Sequence, residues 1–203
     1  MTAPDDSQLP PAEARAEKPL DRLIARVKGI LLKPSREWEI IENEKANLQS
    51  LFRDFLAPLA AIPAIANFLR MLVSGRFEPF SALTGAVVSY GFSLLGVYAM
   101  GHVIYQLADN FGGRQDKMKA MKTAVYASTP VWLAGIVFLV PAFDFFFVFS
   151  LYAVFVLYRG LPIMMKAPPD KVTGYEAAVL GVAMVIFMVL IAISAGISHP
   201  RPI

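Results

Sequence analysis

"VPAFDFFFVFSLY" occupies Val140–Tyr152, and its reading decides how many times the chain crosses a membrane. A single carboxylate, Asp144, stands there among phenylalanines. From Phe145 to the next charged residue but one stop short, Tyr158, there are 14 residues. They make about 21 Å of helix at 1.5 Å rise, too short for a hydrocarbon core of about 30 Å. The helix is therefore expected to run on through Arg159 and "GLPIMM" to about Met165, with Arg159 at the inner boundary extending its charged end toward water. In that register Pro141 stops the preceding helix and Asp144 caps the first turn of the next one at the outer surface. The sharper alternative is a buried functional acid, because carboxylates inside membranes are candidates for function.

Working outward, composition agrees with a membrane class. The chain has 203 residues, of which 56% are apolar, with a mean hydropathy of +0.53. Soluble domains hold roughly 45–50% apolar residues even with glycine counted. There is no cysteine, which excludes disulfides, thiolate metal sites and a cysteine nucleophile. "MTAPDDSQLPPAEARAEKP" has no apolar core of a cleavable signal and reads as a disordered tail over residues 1–19.

In "LDRLIARVKGILLKP", Leu20, Leu23, Ile24, Val27, Ile30 and Leu31 recur at helical spacing, with Arg22, Arg26, Lys28 and Lys33 as a basic complement. Two readings stay open: a helix lying among anionic headgroups, or one packed on the protein's own membrane domain. Pro34 ends it, Ser35 can cap a second helix, "REWEIIENEKA", and Trp38 is expected at the membrane interface. Five apolar segments follow: about Phe55–Val73, Phe80–Ala108, Thr123–Val140, one from near Phe145, and Tyr175–Ile197. Sixteen of the 19 Lys and Arg residues precede the first segment or fall in the second and fourth connections, which places the N-terminus in the cytoplasm. Five crossings put the C-terminus outside. The expected organisation is all-α: a tail (1–19), cytoplasmic amphipathic helices (20–53), a bundle of five transmembrane helices (54–198) and an external tail (199–203).

Tyr98, His102, Tyr105 and Asp109 share one side of the second segment. They suit a proton relay or polar pocket, or simple hydrogen bonding between helices. Tyr126, Ser128, Thr129 and Trp132, with Asn67, are candidate partners. Ser81 with Gly85, Ala177 with Gly181 and Ala192 with Gly196 are pairs of small residues that permit close helix contact. No HExxH, GxSxG or phosphate-loop pattern occurs, and "NFGGR" (110–114) reads as a turn. With two histidines and no cysteine, no metal site, cofactor or catalytic residue is expected. The basic residues lie where topology already explains them, so nucleic acid is not an expected partner.

The order of these features resembles the Yip family (Ypt-interacting proteins), in its short bacterial form. "DFLAP" (Asp54–Pro58) is similar to the family's D-L-x-G-P entry into span one, and "YASTP" (Tyr126–Pro130) to its tyrosine followed by proline in span three. "RVKGILLKPSREWEIIENE" and "YRGLPIMMKAPPDKVTGYEAA" resemble bacterial members in particular. The resemblance covers about Leu20–Ile197. It implies a cytoplasmic N-terminal segment, five spans and an external C-terminus. Eukaryotic members are associated with prenylated Rab-type GTPases and vesicle traffic, whereas the short cytoplasmic segment here speaks against a Rab partner. Asp54 is expected to stabilise the start of span one, and Pro58 to fall in its first turn. Pro63 and Pro130 are expected to kink their helices.

The reading that follows is a non-enzymatic multi-pass protein of a bacterial inner membrane, an adaptor or organiser binding partners or anionic lipid at the cytoplasmic face. The expected lipid contacts are Arg22, Arg26, Lys28, Lys33 and Trp38. Other partners are membrane or cytoplasmic proteins, including further copies of the chain. The alternative is a small carrier, channel or lipid-handling protein with a polar cavity between spans one, two and three, drawing on Asp54, Pro58, Tyr98, His102, Tyr105, Asp109, Tyr126 and Pro130.

Overall fold

The computed structural model describes residues 19–73, 79–139 and 148–198, all helices, turns and connections with no strand among them. The N-terminal tail before Pro19, the "PAFD" connection with Pro141 and Asp144, and the tail after Ser198 lie outside the described residues.

Helix α1 (Pro19–Leu32) and helix α2 (Pro34–Asn43) form a hairpin. Proline fits the first turn of a helix because its missing N–H would have no partner there. Pro34 therefore opens α2, Lys33 takes the cap position without a side-chain bond, and the expected Ser35 cap is displaced into the helix. Asn47 caps the short α3 (Leu48–Leu51), accepting from the Ser50 N–H at 2.7 Å.

Beyond α3 the helix does not stop at the family-like motif. A π-helical turn, Phe52–Leu56, leads directly into α4 (Ala57–Val73). Pro58 cannot donate to the carbonyl four residues back. The ladder widens just ahead of it, with the Ala57 N–H reaching the Phe52 carbonyl. Pro58 thus lies inside one continuous run, Leu48–Leu72, rather than in a first turn. Single π turns recur at functional sites.

Helix α5 (Pro79–Leu107) has 29 residues, about 43 Å of helix. It ends in a 3-10 turn, Asp109–Phe111, and Gly112 at φ 69°, so "NFGGR" is a turn. A Cβ on Gly113 would stand 2.9 Å from the Met165 carbonyl, which instead accepts from the Arg114 N–H at 2.6 Å. Asp116 caps α6 (Lys117–Ala127).

The third apolar segment is broken. α6 ends at Ala127, α7 (Thr129–Ala134) carries Pro130 in its first turn, and a 3-10 stretch covers Gly135–Leu139. The break is expected physically, since Pro130 has no N–H to continue the α6 ladder. Helix α8 (Tyr152–Met164) runs through Arg159 and Pro162, as its length required, and α9 (Val172–Ser198) closes the fold.

Among the described residues three helical runs are long and apolar enough to cross a membrane: Leu48–Leu72, Pro79–Leu107 and Val172–Ile193, with Val148–Met164 a shorter apolar one. α5 is the central element and packs on α4, α6 and α9. Their outer flanks expose large apolar side chains such as Phe80, Leu83, Val87 and Ile191, as helices facing lipid do. Within this chain Gly85 and Gly181 meet no neighbour, so the expected small-residue contacts at those two glycines are not used here.

Candidate functional site

The amphipathic face of α1–α2 docks on the bundle. Leu23, Val27 and Ile30 turn into the core. The Tyr152 hydroxyl donates to the Leu31 carbonyl at 3.0 Å. Trp38, expected at the lipid interface, is 1% exposed. Its indole N–H donates to the Val156 carbonyl at 3.0 Å, and its ring occupies the space a Cβ on Gly160 would need, 2.6 Å away. A buried indole needs both an apolar slot and an acceptor for its N–H, and α8 supplies the two together. Of the two open readings for this segment, packing on the bundle describes its inner face.

Charged groups fasten the far end of α2. Lys122 on α6 is 3% exposed. Its ammonium donates to the carbonyls of Ile41 and Glu44, at 2.9 and 2.5 Å, where the helix end presents unpaired carbonyls. Burial pulls the Lys122 pKa down, with Glu44 acting against that. Lys119 and Lys166 both reach Glu42, at 2.9 and 2.5 Å. The Lys166 hydrogen bond, helped by Lys119 and opposed by burial, holds the Glu42 carboxyl below its usual value.

Between the hairpin and the start of the α3–α4 run lies a cavity of about 670 Å³, within the ~300–1,000 Å³ range of ligand pockets. Tyr126 and Phe55 form its aromatic wall, with rings 4.6 Å apart at 67°. Arg26 spans it, bonding Glu37 at 2.6 Å and Glu44 at 2.5 Å, with its guanidinium 5.7 Å from the Tyr126 ring centre. Arg53 pairs with Asp54 through two bonds, at 2.7 and 3.3 Å. Arg22 and Lys45 also line it. The two family-like motifs thus meet: Asp54 and Tyr126 border one cavity.

The other candidates lie elsewhere. Pro58 is exposed beyond the π turn, and Pro130 is buried at the α6–α7 break. Tyr98, His102 and Tyr105 form a ladder on the outside of α5, with ring centres 6.0 and 6.4 Å apart. Phe52 meets one end of it at 6.4 Å, and the Lys117 ammonium stands 5.6 Å from Tyr105 at the other. Asp109 is exposed in the 3-10 turn. Tyr98, His102 and Tyr105 are not among the walls of the cavity beside the hairpin or of the groove between α4 and α5. The groove between α4 and α5, about 280 Å³, is wholly apolar, with Ala64, Phe68, Leu83 and Val87 among its walls. Arg22, Lys28 and Lys33 are exposed, whereas Arg26 is held inside by its two acids. Among the described residues no three His, Asp or Glu side chains converge as a metal site would need.

Glu37, Glu44, Lys45, Arg53 and Lys122 are the site residues that sequence reading did not single out. Lys122 carried one signal, a lysine separated only by Thr123 from the apolar run "AVYA". Arg26 finds its acids 11 and 18 residues away, beyond the reach of helical periodicity. Two buried atoms, Thr129 Oγ1 and Glu176 Oε1, have no hydrogen-bond partner among the described residues.

The family model described as Yip1 domain matches residues 28–191. The chain is also similar to the inner membrane protein YohC of Escherichia coli strain K12 and to that of Escherichia coli O6:H1. Identity is 27% over 184 residues in both, covering 84% of this chain and 94% of the relative. No solved structure matches.

Proposed function

Because the chain belongs to the Yip1 domain family, we propose that it is a non-enzymatic adaptor of the bacterial inner membrane that engages partners at its cytoplasmic cavity. In this reading the chain crosses the bilayer five times, with the broken α6–α7 segment and α8 completing the three long runs. The N-terminus is inside and the C-terminus outside, as the distribution of Lys and Arg favours. The observation that carries it is the cavity itself. It lies where the Leu48–Leu72 run begins, and its walls are tied to the bundle by Trp38, Lys122 and Glu42. A rigid concave surface at the membrane boundary is what a docking protein needs.

The absence of cysteine makes single-cysteine mapping clean. Gln115→Cys should be labelled from the cytoplasm and Ile203→Cys from outside; labelling of both from one side would overturn five crossings. A photoreactive residue at Ser50, which lines the cavity, should give a reproducible protein adduct in membranes. One at Leu83, on the apolar groove, should not. Equal adducts from both positions would remove the adaptor role.

A second reading, lipid handling, is favoured by the apolar groove between α4 and α5, whose shape and chemistry suit an acyl chain rather than an ion. Lipid scrambling in liposomes that Val87→Trp abolishes would support it.

A further inference from the structure

The charges around the cytoplasmic cavity are not equally available. Glu37 and Glu44 are both engaged by Arg26, and Asp54 by Arg53. Arg22 and Lys45 line the same cavity and are exposed, and among the described residues neither holds an ion pair. An incoming ligand therefore meets two cations that hold no ion pair and three acids that are already paired. The rest of the lining includes Leu23, Ile40, Leu51 and Phe55, so the same ligand also meets apolar surface. The cavity borders the first residues of a membrane-crossing run, which sets it at headgroup depth.

We propose that this cavity binds the phosphate headgroup of an anionic phospholipid from the inner leaflet. Arg22 and Lys45 hold the phosphate, and Leu51 and Phe55 face the start of the acyl chains. The proposal rests on the reading above that this cavity is the working site at the inner surface. A guanidinium offers a planar fork of donors matched to phosphate oxygens, and a lysine adds a compact charge. Anionic lipid is the anion concentrated at that depth, and each nearby cation strengthens its attraction. Because the cavity's own acids are already paired with Arg26 and Arg53, the field of Arg22 and Lys45 is only partly offset from within, by Asp54 acting on Arg22.

The test uses the full chain in nanodiscs of phosphatidylcholine with a minor fraction of phosphatidylglycerol, reading retained lipid by native mass spectrometry. Two charge-matched double variants are compared: Arg22→Gln with Lys45→Gln inside the cavity, and Arg36→Gln with Lys171→Gln, both exposed outside it. Wild type and the outer pair should retain phosphatidylglycerol alike, and the inner pair should lose at least about tenfold. Equal retention by all three proteins, or equal loss in both pairs, overturns the proposal. Arg22 acts on Asp54 only through space and neither inner cation holds an ion pair among the described residues, so thermal midpoints should stay close. A soluble arm adds glycerol 1-phosphate to discs of phosphatidylcholine alone. Binding as strong as that of phosphatidylglycerol would assign the site to a free phosphate and overturn the lipid. An adduct at Ser50 that persists in the inner pair, with lipid retention unchanged from wild type, sinks this inference and leaves the adaptor standing. Position-specific lipid loss with no adduct at Ser50 does the reverse.

Discussion

The cap formed by α1 and α2 and the outer face of α5 carry similar residue types, yet they behave differently. In the cap, an aromatic ring and a lysine are buried, and the acids and further lysines around them are paired. Trp38 meets Val156 and Gly160, Lys122 meets Ile41 and Glu44, and Glu42 meets two lysines. On α5, Tyr98 and His102 stand exposed, stacked on each other, and Tyr105 tilts against His102 while its other side reaches the core; Phe52 and Lys117 meet the two ends of the ladder. The difference teaches where stability resides. Polar groups removed from water must pair or cost free energy, so a change in the cap leaves a partner stranded, whereas a change on the ladder does not.

The largest break in this contrast should come from Trp38→Ala. It opens a cavity beside Gly160 and removes the indole donor to the Val156 carbonyl, and is expected to cost about 3–5 kcal/mol, read as a lower denaturation midpoint and faster proteolysis of the α1–α2 hairpin. Phe80→Ala, at a side chain 84% exposed, should stay within about 0.5 kcal/mol. Equal effects would erase the distinction. Lys122→Met comes next, at about 1–3 kcal/mol, since two carbonyls lose their donor. An unchanged midpoint would mean that water reaches the end of α2.

Acid sharpens the comparison further. The Glu42 pKa is lowered in the fold, chiefly by Lys166. Its contribution to stability is therefore present above the unfolded value of about 4.3 and is lost as pH falls through the lower folded value. Wild type should lose stability more steeply below about pH 4.3 than Glu42→Gln, measured by chemical denaturation across pH. Parallel curves would separate Glu42 from the cap. The smallest effect is expected for Tyr98→Phe with His102→Leu, within about 0.5 kcal/mol. A larger loss of melting temperature in nanodiscs would show that the ladder has a partner in the membrane.

Much of the architecture was legible before any coordinates. Long apolar runs, a polar leader and the skew of Lys and Arg sufficed for an all-helical membrane protein. The length of Phe145–Tyr158 sufficed to carry α8 past Arg159 to Met164. Two expectations failed for instructive reasons. Pro58 reads as a helix start, but a π turn lets the helix pass through it. Trp38 reads as an interfacial residue, but a glycine 122 positions later leaves its ring a slot. The π turn borders Pro58, but nothing in "FRDFL" announces it, and Gly160 is too far from Trp38 for a local pattern to link the two.

The sequence by itself determined which segments must leave water, because hydrophobicity and helical period are local properties that each stretch carries alone. The tertiary structure decided which charges cancel and which stay open: Arg26 with Glu37 and Glu44, Arg53 with Asp54, Arg22 and Lys45 with none among the described residues. Electrostatic pairing depends on distance in space, and that distance exists only once α1 and α2 have folded back over the start of α4.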